Sequence, residues 1–213
     1  MEQMDRESAF RQGTADFDPV TKLLHVFLAI TLCFQMVVGL FVHDPNTLLF
    51  LYLHQYGGLV AGLVLLIEWM WIFAKDQWGL FFPLNKEGMQ QVFVDLKRLV
   101  SFRLPPGGAT VGLAGLWHGF GLLVFSVLGV TGILILFALP NGHSILGVSS
   151  HDFSGFTRLS LIHAIASYAA WAYLAGHVTT AVLHQVTGEK IVSRMFFLKR
   201  VTAAVSRGNG TGA

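Results

Sequence analysis

Four long apolar blocks constrain this chain more than any other feature: about Leu23 to Val42, Leu49 to Phe73, Leu113 to Leu139 and Leu159 to Leu183. A hydrocarbon core of ~30 Å needs about 20 helical residues to cross it, and each block is long enough. Backbone polar groups in hydrocarbon must satisfy one another within the segment, so such blocks are expected to be helices. Composition agrees: only 12% of the 213 residues are charged, half the roughly 25% of a soluble domain. Mean hydropathy is +0.61. The expected fold class is all-α, an integral membrane four-helix bundle.

The flanking segments complete this picture. Met1 to about Phe17 is polar and lacks the apolar core and cleavage site of a signal peptide, so the first block is expected to stay in the mature protein. Residues 1–17 and the tail 201–213 read as poorly ordered, flanking a four-span domain at 18–200. Asp18-Pro19 is expected to open the first span as a cap and first-turn proline. The long connection from Asp76 to Gly112 needs structure of its own. Within it Met89, Val92, Phe93, Leu96 and Val100 share one face, opposite Gln90, Gln91, Asp95, Lys97 and Arg98. That pattern predicts an amphipathic helix at the lipid interface between spans two and three, ended by Pro105-Pro106-Gly107-Gly108.

Charge placement sets the expected orientation. Thirteen of the 14 Lys and Arg lie in the N-terminal segment, the long connection and the tail, leaving Arg158 on the other side. Both termini are therefore expected to be cytoplasmic. A net charge of +2 with no basic aromatic stripe argues against nucleic acid. The single cysteine, Cys33, rules out an internal disulfide, a thiolate-held cluster and a CxxCH haem attachment.

The nine histidines carry the chemistry. His43, His143 and His151 fall in expected outer loops and His184 at the inner end of span four, where they read as surface or interfacial residues. His25, His54, His118, His163 and His177 lie within or at the edge of spans, where ionisable groups are costly and usually functional. His163 and His177 are fourteen positions apart, which on a helix is about 21 Å with only ~40° of drift. They share a face but not a depth, so they can serve two cofactors and not one metal ion. Chain direction pairs His25 with His177 at the inner level and His54 with His163 at the outer level. A planar macrocycle clamped between two histidines is a bis-histidine haem, which has no open iron position and favours electron transfer. The same interval leads from His25 to Gly39, from His118 to Gly132 and from His54 to Glu68. With Gly57, Gly58, Gly62, Gly115, Gly119, Gly121 and Gly129, these glycines fit an interior that leaves room for a porphyrin.

Three segments carry a family resemblance: DPVTKLLHVFLAITLCFQMVVG from Asp18, HQYGGLVAG from His54, and His163 to Met195 with its H-x13-H core and the ending HVTTAVLHQVTGEKIVSRM. From about Phe17 to Leu198 the chain resembles the bacterial cytochrome b561 superfamily, including the cytochrome b subunits of hydrogenases and formate dehydrogenases. The resemblance implies two haem b groups, with ligand pairs joining spans one and four and spans two and four, hence His25/His177 and His54/His163. Where many relatives have arginine in span two, this chain has Ile67-Glu68-Trp69, so no arginine site is carried over. His118 and Glu68 could form a quinone site near the inner haem, because quinone chemistry moves protons with electrons. Arg158 and Lys22 are candidate partners for haem propionates at the two surfaces.

These features give an electron conduit in the bacterial inner membrane, between a quinone pool and an outer-face partner. That partner would be a periplasmic dehydrogenase, hydrogenase or cytochrome c. Lipid surrounds the bundle, and homo-oligomers are compatible with it. A second reading is a stand-alone quinone-linked oxidoreductase acting on a small donor such as superoxide. A third is a non-redox anchor or transporter, although the broken spans or inverted repeats of many transporters are absent.

Overall fold

The computed structural model describes residues 18–43, 48–105, 112–139, 143–147, 153–188 and 191–196. The expectations for residues 1–17 and 201–213, for Pro106-Gly107-Gly108 and for His151 fall outside them. Among the described residues seven helices form: α1 (Pro19–Gly39), α2 (Leu49–Ala74), α3 (Trp78–Phe81), α4 (Lys86–Val100), α5 (Leu113–Ala138), α6 (Phe153–Val186) and α7 (Ile191–Phe196). No strand occurs among the described residues. Helices α1, α2, α5 and α6 are long and apolar enough to cross a membrane. The protein is a multi-pass helical membrane bundle.

Span four differs most from its expected bounds. With 34 residues it is about 51 Å long at 1.5 Å per residue, well beyond the hydrocarbon thickness. Polar residues at its ends, including Arg158 and His184, continue the helix because backbone hydrogen bonding does not stop at the lipid boundary.

The spans pack as α1 on α2, α2 on α5, and α5 on α6, with α7 closing against both α6 and α1. Among the described residues, α6 has no comparable backbone packing against α1 or α2. The core at the bundle centre joins Met36, Leu65, Ile72, Leu122, Val124, Phe125, Ala170 and Tyr173. On α2 the buried positions Ala61, Leu65, Glu68 and Ile72 recur every three or four residues, which draws one stripe toward the bundle axis. Most other large apolar side chains are exposed, such as Ile30, Leu63, Met70 and Ile165, as expected for surfaces that face lipid tails.

Close approach of α5 and α6 depends on glycine. A Cβ at Gly121 would collide with the Tyr173 ring of α6, and on another side of α5 one at Gly119 would meet the Phe81 carbonyl oxygen of α3. Polar pegs fix the rest: Trp69 Nε1 donates to Ser126 Oγ at 2.9 Å, joining α2 to α5. Trp71 Nε1 donates to Thr21 Oγ1 at 3.1 Å, joining α2 to α1 at the end of the bundle where α1 begins, called the inner end, the opposite end being called outer. At the outer end the buried Gln55 side chain donates to the His143 carbonyl oxygen at 3.0 Å and accepts from Ile145 N at 2.9 Å. That clasp holds an outer loop against span two.

Two local expectations are corrected. Pro19 does occupy the first turn of α1, but Asp18 makes no side-chain cap. Its carboxylate is drawn instead to the Thr21 hydroxyl at 3.5 Å. The amphipathic helix forms as α4, capped by Asn85 Oδ1 accepting from Gly88 N at 2.8 Å. Phe93, Leu96 and Val100 lie on its exposed apolar side. Asp95, however, is buried rather than solvated. It accepts from Gln91 Nε2 at 2.8 Å and from Leu113 N at 3.1 Å. The residue before α5 is Gly112, which has no side chain to cap the helix, so a carboxylate from α4 satisfies an otherwise orphaned first-turn N–H.

Candidate functional site

Each span contributes histidines from the stripe it turns inward. His25 stands in the second turn of α1, three residues after Lys22, which is only 7% exposed. On α6, His163 and His177 project from one face at two depths, and the structure brings each to a different neighbour. The ring centres of His25 and His177 are 6.1 Å apart, and those of His54 and His163 are also 6.1 Å apart. Both meetings occur across α1–α6 and α2–α6, the helix pairs whose backbones do not pack closely.

The separation has chemical content. An imidazole nitrogen binds a metal at about 2.0–2.1 Å, and the ring centre lies roughly 1.1 Å further, so two trans imidazoles on one metal have centres about 6.2 Å apart. Among the described residues no group of three or more His, Cys, Asp or Glu could hold a metal ion. Pairs of histidines therefore fit a metal whose remaining donors come from elsewhere, as in a porphyrin. The donor set and the spacing fit haem.

Neighbouring residues shape the two levels differently. At the outer level, a Cβ on Gly39 would meet His54 Cε1 at 3.4 Å, and one on Gly132 would meet His163 Cε1 at 3.5 Å. The two glycines reached by the fourteen-residue interval thus lie against the outer rings. Thr131 Oγ1 is 2.8 Å from His163 Nδ1. One end of the Gln35 amide is 3.0 Å from both His54 Nδ1 and the His54 carbonyl oxygen, and its other end is 3.1 Å from Gly58 N. Gly57 makes room for that amide, since a Cβ there would collide with it. Gly58 is in milder contact, 3.6 Å from Gln35 Oε1, so it borders Gln35 rather than a histidine ring. Gly62 and Gly129 would meet nothing within 4 Å.

At the inner level a third imidazole joins the pair. The His118 ring centre is 4.9 Å from that of His177, edge to face, and His118 Nδ1 is 2.7 Å from the Ala114 carbonyl oxygen. A carbonyl only accepts, so Nδ1 carries the proton and Nε2 keeps its lone pair. Tyr173 stacks on His177 with ring centres 5.5 Å apart and 19° between planes. Glu68 is 8% exposed, and its Oε2 has no hydrogen-bond partner among the described residues. No hydrogen bond joins it to His118 there. It also forms no ion pair with Lys75, whose ammonium sits 4.8 Å from the Trp71 ring centre. Arg158 is exposed, five residues before His163 at the outer end of α6.

Sequence reasoning missed Gln35, Thr131 and Tyr173. A signal existed for each: an uncharged polar or phenolic side chain at membrane depth must find a partner inside the bundle. Tyr173 also lies one turn before His177, on the same face.

No curated protein and no solved structure matches the chain. The family model described as prokaryotic cytochrome b561 matches residues 16–198. Membership selects the redox readings over the anchor or transporter. With two facing imidazole pairs inside a four-span bundle and that match over most of its length, the chain belongs to the prokaryotic cytochrome b561 family, membrane cytochromes that bind haem b and transfer electrons.

Proposed function

We propose that this protein holds two haem b groups, one between His25 and His177 and one between His54 and His163, and relays electrons across the bacterial inner membrane. The single observation that carries this reading is the pair of 6.1 Å imidazole separations at two depths, both using α6. When bound, each haem would supply a one-electron Fe(III)/Fe(II) couple. The four histidines hold and orient these groups, while Gly39 and Gly132 keep side-chain carbon away from the outer rings. Lys22, buried three residues before His25, offers a cation to an inner propionate. Arg158 offers one at the outer surface.

The concentration of thirteen of 14 basic residues in the N-terminal segment, the long connection and the tail supports a cytoplasmic side for the termini and α4. Electrons would exchange with a quinone pool near the inner level and with a periplasmic dehydrogenase, hydrogenase or cytochrome c outside. Glu68, a buried carboxyl with an oxygen unpartnered among the described residues, and His118, whose Nδ1–H on the Ala114 carbonyl leaves Nε2 with its lone pair, can accept and release the protons of quinone chemistry.

Haem-to-protein ratio and reduced-minus-oxidised spectra of four variants test the assignment. His25→Ala and His177→Ala should each leave one haem with identical spectra. His54→Ala and His163→Ala should leave the other. A variant that retains two low-spin haems removes its residue from the ligand set, and a wild-type protein without a b-type band overturns the proposal.

A further inference from the structure

We infer that Thr131 is a positioning residue for the outer haem: its hydroxyl oxygen accepts from His163 Nδ1–H and fixes the tautomer that presents Nε2 as the ring's lone pair. This inference rests on the proposed ligand role of His163.

The direction of the hydrogen bonds follows from counting protons. Thr131 Oγ1 lies 2.7 Å from the Val127 carbonyl oxygen and 2.8 Å from His163 Nδ1. A hydroxyl has one hydrogen, and a carbonyl oxygen can only accept it. The Thr131 proton therefore goes back along α5 to Val127, the usual i−4 bond of a helical threonine. What faces His163 is a lone pair, so Nδ1 must carry the imidazole proton. A neutral imidazole has one N–H, which leaves Nε2 unprotonated.

Burial makes this arrangement binding on the ring. Thr131 is 6% exposed, so water is poorly placed to replace it. The adjacent Gly132 puts its α-carbon side against His163 Cε1, with 3.5 Å to where a Cβ would stand. Two consecutive residues of α5 thus hold one edge of an imidazole that α6 carries. Donation from Nδ1–H to an oxygen raises the basicity of the opposite nitrogen, and a more basic axial ligand favours ferric over ferrous iron. Thr131 accordingly lowers the potential of the outer haem and leaves the inner one alone.

The test uses the full chain purified with its haems, comparing Thr131→Val, Thr131→Ala and Thr131→Ser with His163→Ala. The outer haem is defined as the spectral and low-spin EPR component that His163→Ala removes. Loss of the hydroxyl should shift its ferric-to-ferrous ratio by about tenfold, about 59 mV upward for one electron, with a changed EPR g-value and an unmoved inner component. Thr131→Ser should restore both. If Val or Ala drops the outer haem while Ser retains it at the wild-type potential, the inference also stands. Unshifted outer potential in Val and Ala, or a serine variant that behaves like valine, overturns it. Retention of both haems in His163→Ala would instead defeat the ligand assignment itself, so the two failures are distinguishable.

Discussion

Gly132 gives a measured clearance from which a graded test can be built. An alanine Cβ at this position would stand 3.5 Å from His163 Cε1, ordinary van der Waals contact, so Gly132→Ala should bind both haems. Valine adds two methyl groups roughly 1.5 Å beyond that Cβ, and a β-branched side chain in a helix is held to essentially one rotamer. A methyl group directed at the ring closes the gap below contact distance. Overpacking of this kind costs about 1–3 kcal/mol, which weakens outer-haem retention by about 5- to 150-fold. Haem-to-protein stoichiometry across a detergent or haem-scavenger titration reads this directly. Gly132→Val should fall toward one haem per chain, losing the component that His163→Ala also removes. A valine variant that keeps both haems with an unaltered outer component would refute the reasoning, as would equal loss of the two.

The inner level has its own versions of this test. Gly121→Ala would push a methyl group into the Tyr173 ring, which stacks on His177, so the inner spectral component should broaden or be lost before the outer one. Glu68→Gln keeps the shape of the side chain but removes its proton exchange. It should slow quinol-driven haem reduction while leaving haem content unchanged, and unaltered reduction rates would release Glu68 from the quinone site. Asp95→Ala removes the acceptor for Leu113 N and should cost about 1–2 kcal/mol, read as earlier thermal loss of the Soret band, with Asp95→Asn between it and wild type. Trp69→Phe and Ser126→Ala should each cost about 1 kcal/mol. Their combination should cost less than the sum, since both delete one hydrogen bond.

The four spans were legible because length and apolarity alone decide whether a segment must be helical in lipid. The meeting of His25 with His177 and of His54 with His163 was legible from helical phase and chain direction, two quantities that residue numbers carry. Contacts made by small polar groups were not. Thr131, Gln35 and Asp95 act through hydrogen bonds between helices whose relative rotation no spacing rule supplies. Asp95 shows the difficulty: its place on the polar face of an amphipathic helix reads as solvated, yet the N–H of Leu113, which follows a glycine that cannot cap it, draws the carboxylate inward. His118 was placed at the same level as His177, but its edge-to-face contact with that ring depends on how α5 turns against α6, where Gly121 admits the Tyr173 ring.

Because α6 is one unbroken helix bearing His163 and His177, the interval along that helix between the two proposed haem stations is ruled off by fourteen increments of 1.5 Å. Bilayers of different thickness are accommodated chiefly by tilting such a rod. Tilt changes how far each station sits from its own aqueous boundary but leaves the interval between them untouched. With both proposed haems bound, the internal electron hop would therefore stay constant in membranes of varying composition, and only the exchange steps at either surface would feel the lipid.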